Sequence, residues 1–298
     1  MQTIDIRAAL RQTIESLRAA NVPSHTLAAE LLLMHALQRD RTWIYSHPEN
    51  DLEPDARERL SSYVIRRAAG EPTQYITGKQ EFWGLEFAVT PAVLIPRPET
   101  EHVIELALER LGPRGIKIDM ATGAPSTPLR IADVGTGSGC LAVALAYELP
   151  HAIVVATDIS EASLAIARRN AARHGVADHV SFLQTDLLAS LQESSSFDLI
   201  VSNPPYIGRN EASQLPREVR EHEPEHALFG GVTGIEMYTL LIEQSARLLR
   251  PRGILVLELG HNSADHVRGL LYGQPAWVNV SITNDLAGIP RVIAAERS

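Results

Sequence analysis

Apolar residues recur at three- and four-residue spacing through residues 3 to 69, as in Leu27, Leu31 and Met34 and again in Leu60, Val64 and Ala68. That periodicity predicts amphipathic helices, with Ser24 and Asp51 as breaks or caps between them. Between 80 and 95 the pattern changes: Phe82, Trp83, Leu85, Phe87, Val89, Val93 and Leu94 surround Gly84 and Pro91, which predicts a β-hairpin. Pro98-Glu99-Thr100-Glu101 then leads into Val103, Ile104, Ala107, Leu108 and Leu111 and predicts a helix. Residues 112 to 128 carry Gly and Pro without periodicity and read as a flexible surface insertion. From 129 onward short apolar runs (129–134, 152–157, 180–183, 198–201, 254–259) alternate with helical stretches (140–148, 161–174, 233–249). Alternation of this kind predicts an α/β domain, a parallel sheet covered on both faces. The last runs, 278–283 and 291–295, are joined by a short Gly-Pro connection and predict an antiparallel hairpin at the sheet edge.

Bulk properties narrow the picture. A chain of 298 residues, 45% hydrophobic and 21% charged, can bury one good core and a second, smaller one. A net charge of -9 argues against a broad, sequence-independent grip on nucleic-acid phosphates. The opening residues lack a basic region followed by an apolar stretch, and no later segment is long and apolar enough to span a bilayer, so the expectation is a cytoplasmic protein with no membrane partner. Cys140 is the one cysteine, which rules out an intramolecular disulfide and a cysteine-based zinc site and leaves it a small core residue behind a glycine loop.

Two motifs carry chemistry. The first strand runs into Asp133-Val134-Gly135-Thr136-Gly137-Ser138-Gly139, directly before a helix. Glycines at such a turn let a ligand approach the backbone, and the helix N-terminus offers free N–H groups. A dinucleotide fingerprint needs a glycine where this chain has Cys140, which weakens a dehydrogenase reading. Asp158 closes the second strand, where a carboxylate can accept hydrogen bonds from ribose hydroxyls; Asp186 follows the third and reads as an adenine contact or as a solvated loop carboxylate. The second motif is Asn203-Pro204-Pro205-Tyr206, after the apolar run 197–202. Its prolines fix their own φ, lack an N–H and push Asn203 and Pro204 toward extended geometry, leaving carbonyls without competing donors. A planar NH2 group could donate to the Asn203 side-chain oxygen and the Pro204 carbonyl beneath the Tyr206 ring. The plain alternative is a strand-terminating turn.

The glycine loop, an acidic residue after strand two and the Asn-Pro-Pro-Tyr motif together resemble the S-adenosylmethionine-dependent amino methyltransferases. Nearly the whole chain resembles the HemK/PrmC family, bacterial enzymes that methylate a glutamine side-chain amide in class 1 peptide-chain release factors. The likeness takes in the helical N-terminal part, the hairpin with Glu81-Phe82-Trp83-Gly84, the segment Leu94-Ile95-Pro96-Arg97-Pro98-Glu99-Thr100-Glu101 and the α/β part. It implies a doubly wound, Rossmann-like class I methyltransferase domain over 129–298, a helical substrate-binding domain over 1–78, and a hairpin, helix and connector over 79–128. It also implies translation termination as the setting, S-adenosylmethionine as cofactor, a release factor as protein partner with its GGQ-motif glutamine as substrate, and no direct nucleic-acid binding. By the same resemblance Gly135, Thr136, Gly137, Ser138, Gly139, Asp158, Asp186, Leu187 and Asn203 bind the cofactor. Asn203, Pro204, Pro205 and Tyr206 bind the substrate, and Asn203, Pro204 and Tyr206 carry the chemistry. Arg97, with Glu99 in the connector, reads either as bordering the active crevice and touching the substrate or as a purely structural ion pair or cap. Some relatives have an aromatic residue where this chain has Leu187.

The rival reading is an adenine-specific DNA amino-methyltransferase, since a flipped base presents the same planar NH2. Such an enzyme needs a target-reading element and phosphate contacts, which an acidic chain with a small helical domain does not suggest. A noncatalytic adaptor would not need the glycine loop, Asp158 and the proline socket together. His222-Glu223-Pro224-Glu225-His226 fits the H-E-x-x-H pattern, but Pro224 opposes the continuous helix that a zinc site requires, so the expectation is no metal. Residues 207 to 232 read either as shaping the approach of a protein substrate or as a solvated loop.

Overall fold

In the computed structural model, which describes residues 4–112, 128–192 and 196–298, the chain divides into two units. One comprises residues 1–79 and 215–222, the other 80–214 and 223–298. The insertion expected at 112 to 128 lies, apart from its ends, outside the described residues.

The first unit is helical: α1 (Ile6–Ala19), α2 (His25–Leu37), α3 (Arg41–Ser46), α4 (Pro54–Ala68) and α5 (Thr73–Thr77). Asp5 and Asp40 cap α1 and α3 by accepting from the Ala8 and Trp43 amides. Ser24 does precede α2, but with φ 49° and no side-chain cap bond, while Asp51 pairs with Asp5 in an isolated bridge. Leu17, Leu32, Leu33 and Ala36 are fully buried in its core, joined by Leu60; of the stripe expected at 27, 31 and 34, Leu27 is exposed and Leu31 and Met34 are half-buried, because the face of α2 turned inward is centred on Leu32, Leu33 and Ala36 instead. A short helix from later in the chain, α9 (Arg217–His222), belongs to this unit. Arg67, buried in α4, holds it through a 2.6 Å ion pair with Glu218.

The second unit opens with the hairpin of β1 (Lys79–Phe82) and β2 (Leu85–Ala88). Its two-residue turn, Trp83-Gly84, has φ values of 55° and 68°, both positive as a tight hairpin requires. Trp83 is held there by its N–H to Glu101 and its indole N–H to Glu148, each 2.8 Å. The apolar run beyond Ala88 does not extend the strand, and α6 (Glu101–Leu111) follows after a 3-10 turn at Pro98–Thr100.

The sheet consists of β3 (Arg130–Val134), β4 (Ile153–Asp158), β5 (Val180–Gln184), β6 (Phe197–Ser202), β7 (Leu249–Glu258), β8 (Trp277–Asn284) and β9 (Pro290–Arg297), in the order β5-β4-β3-β6-β7-β9-β8. The first five are parallel; β9 runs antiparallel to β7 and to the edge strand β8. Alternate strand residues enter opposite cores. Ile131, Leu199, Val201, Ile254 and Val256 pack with α6 and α7 (Cys140–Glu148), and Ala171 of α8 (Glu161–Arg173) joins them. Ala132, Val134, Ile200, Leu255 and Leu257 face α11 (Glu236–Leu248) and α12 (Ala264–Tyr272). The strand order reverses between β3 and β6, where Val134 pairs with Ser202, so the glycine loop and the proline socket leave the sheet side by side. Among the described residues no helix is long and apolar enough to cross a membrane.

Candidate active site

A cavity of about 350 Å³ lies beyond the carboxyl ends of these strands, within the size range of small-molecule and cofactor sites. Gly135, Thr136, Gly137, Ser138, Asp158, Asp186, Leu187, Asn203 and Pro205 all line it. Gly139, Pro204, Tyr206 and Arg97 do not.

The glycine loop is fastened from below. Asp133, at the end of β3, accepts at Oδ2 from the Thr136 hydroxyl (2.6 Å) and the Ala142 amide (3.0 Å). Burial pushes its carboxyl up to about 7. Asp158 accepts from the Gly137 amide (2.8 Å) and the Ser160 amide (2.9 Å), so each oxygen keeps capacity for a further donor. Gly135 and Gly137, at φ 70° and 54°, have open space where a Cβ would stand, so the backbone itself faces a ligand. Gly139 is different in kind: its Cβ would lie 3.0 Å from the Cβ of Ala167, so its small size serves the packing of the loop on α8. Burial holds the Cys140 thiol up at about 12, and the cavity wall includes it.

The proline socket is equally constrained. The Asn203 side-chain N–H donates to Thr100 Oγ1 at 3.1 Å, which turns Asn203 Oδ1 away from Thr100 and leaves it to accept. Pro204 is buried, and no donor among the described residues takes its carbonyl. The Tyr206 hydroxyl donates to Glu258 at 3.3 Å, and burial raises its own pKa further above the ordinary phenol value. A parallel bridge between Ile207 and Phe229 continues the segment, with the Gly230 amide donating to the Ile207 carbonyl at 3.0 Å. Three glycines make this approach possible. A Cβ on Gly230 or Gly234 would fall 2.2 Å from the Pro205 carbonyl oxygen or 2.1 Å from that of Tyr206, and one on Gly260 2.6 Å from the Tyr206 ring.

Arg97 pairs at 2.5 Å with Glu223, whose side chain is buried. That pair fixes the start of the stretch from which His226, Ala227 and Phe229 line the cavity. His222 closes one helix and His226 lies in the next, α10 (Glu225–Leu228), with Pro224 as its N-cap, so the two imidazoles do not share a helical face. Among the described residues no group of His, Cys, Asp and Glu is arranged to hold a metal ion.

Several wall residues lie outside the motifs, namely Val93, Ile159, Ser163, Phe229 and Met237, while Leu94, Pro96 and Thr100 belong to the 94–101 segment without having been assigned to the site. Glu258 behind Tyr206 was also missed, although a lone carboxylate ending an apolar parallel strand is the same signal that marked Asp158.

Comparison with known proteins gives the family. Residues 8–78 match the model of the PrmC N-terminal domain, and residues 120–222 that of the Methyltransferase small domain. The release factor glutamine methyltransferase of Koribacter versatilis is 43% identical over 292 residues, 98% of each chain. This chain belongs to the release factor glutamine methyltransferase family. The relative of that name from Nitratidesulfovibrio vulgaris is 43% identical over 294 residues, 98% of this chain and 95% of its own. Among solved structures, the hMettl16 catalytic domain in complex with MAT2A 3′UTR hairpin 6 superposes with a TM-score of 0.57 at 18% identity, over 78% of this chain and 81% of that one. That likeness concerns the fold, a class I methyltransferase fold.

The methyl donor of this methyltransferase is S-adenosylmethionine. The cavity fits it: an open glycine backbone, accepting capacity on Asp158, and a buried Asp133 Oδ1 with no hydrogen-bond partner among the described residues. Asp186 is exposed at the rim beside Leu187, which adopts φ 50° and presents an aliphatic rather than an aromatic surface.

Proposed function

We infer that this chain methylates the side-chain amide nitrogen of a glutamine in a peptide-chain release factor, specifically the GGQ-motif glutamine of class 1 factors. The observation that carries the reading is the orientation of Asn203, whose nitrogen is committed to Thr100 and whose oxygen is left to accept. A glutamine NH2 has two hydrogens to place, and Asn203 Oδ1 and the Pro204 carbonyl are two acceptors that take no other donor among the described residues.

When bound, S-adenosylmethionine would supply a methyl group from a sulfonium, the sulfur leaving as a neutral thioether as its bond to the methyl carbon breaks. Asp158 and Asp133 would hold the donor with the backbone of 135–139, and Leu187 and Asp186 would border its base. An amide nitrogen is a poor nucleophile because its lone pair is shared with its carbonyl. Asn203 and Pro204 fix both of its hydrogens, which positions the nitrogen and eases the lone pair out of conjugation. Their oxygens also face the positive charge that develops there. The Tyr206 ring covers the planar face, held by Glu258 and Gly260. No dedicated base is required, because a protonated N-methyl amide is a strong acid that water deprotonates. Arg97 acts at one remove, by fixing Glu223 and the wall segment behind it. The helical unit docks the protein substrate.

The names carried by the relatives favour a glutamine over the exocyclic amine of adenine, which the socket alone would also accept. The test supplies labelled S-adenosylmethionine with purified release factor, a Gln-substituted release factor and duplex DNA. Label is expected in the wild-type factor and not in the substituted one; label in DNA alone would overturn the reading.

A further inference from the structure

The transfer described above uses Asn203 as an acceptor, yet a carboxamide can face a substrate with either end. The side chains behind it decide which. Thr100, buried in the 3-10 turn before α6, receives the Asn203 N–H at 3.1 Å. The Thr100 hydroxyl also lies close to the carboxyl of Glu258, at the end of β7, and favours its ionised form, and the Tyr206 hydroxyl donates to Glu258 Oε1 at 3.3 Å. Glu258 is 3% exposed, and its main-chain carbonyl is pinned by the Tyr238 hydroxyl at 2.9 Å. The two side chains of the socket are thus joined from behind through one buried carboxyl.

We propose that Glu258, acting through Thr100, is a positioning residue that sets which end of the Asn203 amide meets the substrate nitrogen. An ionised carboxylate can only accept, so the single hydroxyl proton of Thr100 must point to Glu258. Only lone pairs of Thr100 then face Asn203, whose NH2 turns to them and whose oxygen turns to the substrate. A protonated Glu258 carries a donor of its own. It can donate to Thr100, whose proton is then free to seek Asn203 Oδ1, and the amide reverses. The substrate NH2 then meets an NH2, donor against donor, and the socket fails.

This inference rests on reading Asn203 as the acceptor for a glutamine amide. The groups facing Glu258 are Glu99 on the turn with Thr100, Arg291 on β9, Tyr206 and Tyr238, with the Cys140 thiol also within its field. Burial dominates and pushes the carboxyl up to about 7, Glu99 adds to the rise, and the nearby hydroxyls of Thr100 and Tyr206 and the charge of Arg291 oppose it. The two orientations therefore exchange within the working range of pH.

The experiment measures kcat and KM for a purified release factor between about pH 5.5 and 9 in wild type, E258Q, T100V and T100S, with S-adenosylmethionine affinity by calorimetry as the check on folding. Wild type is expected to lose kcat on the acid side. E258Q and T100V are expected to lose roughly 10- to 100-fold of the alkaline kcat together with the acid limb, and T100S to recover both relative to T100V. An E258Q enzyme with wild-type kcat, or an acid limb that persists unchanged in E258Q and T100V, overturns the proposal. Should E258Q fail to fold, the T100V and T100S pair decides it. A wild type that methylates no release factor at any pH would instead defeat the substrate reading, which is a separate result.

Discussion

In the proposed transfer Asn203 and a substrate glutamine are the same functional group face to face, so recognition there depends on one of them being fixed before they meet. The partly exposed Asn203 is fixed by its bond to Thr100. N203A removes one acceptor from the nitrogen and leaves the donor cavity otherwise intact. Turnover on a release factor should fall by on the order of 10²- to 10³-fold or more, with S-adenosylmethionine affinity within a few-fold of wild type in a calorimetric titration. The role proposed for Tyr206 is one of placement, and G260A tests this, since its new Cβ would intrude to 2.6 Å of the ring. An intrusion of that size costs about 1–3 kcal/mol or displaces the ring, so kcat should drop about tenfold while the fold survives. Single-turnover kinetics with release factor would read it. At this scale the sequence displayed Asn203 to Tyr206 plainly, because paired prolines after an apolar run are uncommon punctuation. Thr100, Glu258 and the glycines at 230, 234 and 260 gave weaker signals. Their roles come from contacts across the fold between distant positions, which periodicity does not encode.

Elements set where those residues meet. Alternating apolar runs announced the parallel sheet, and the edge hairpin followed from the short connection near 288–290. Their limits were harder to read: β7 begins at Leu249, although Pro251 and Gly253 look like a turn, and α12 carried too little pattern to stand out. The apolar run after β2 resembles strand but turns aside, and its Val93, Leu94 and Pro96 become cavity wall. One buried side chain ties hairpin to glycine loop. Asn170 on α8 accepts from the Ala88 amide at 2.8 Å and donates to the Ala88 carbonyl at 3.0 Å and the Ser138 carbonyl at 2.8 Å. N170A leaves these backbone groups without partners and should cost roughly 2–4 kcal/mol in urea unfolding. Donor affinity should weaken with it, because the turn through Ser138 loosens.

At the scale of the molecule, two buried carboxyls beside the site cost stability when they ionise. Burial raises Glu258 from an ordinary 4.5 to about 7 and Asp133 from 3.8 to about 7. The sign follows from linkage: a group whose folded pKa is raised contributes stability that is complete below its unfolded pKa and lost as pH rises through the folded value. Wild type should therefore lose stability relative to E258Q between about pH 5 and pH 8, by on the order of 3 kcal/mol, in urea titrations at a series of pH values. The glycine loop, the accepting end of Asn203 and the family's relatives converge on a methyl transfer to an amide, and that claim has a direct measurement. Purified release factor is incubated with the enzyme and S-adenosylmethionine, digested, and sequenced by mass spectrometry. The account predicts one added methyl group on the side chain of the GGQ glutamine, absent with N203A; an unmodified glutamine, or a methyl group on another residue, would contradict it.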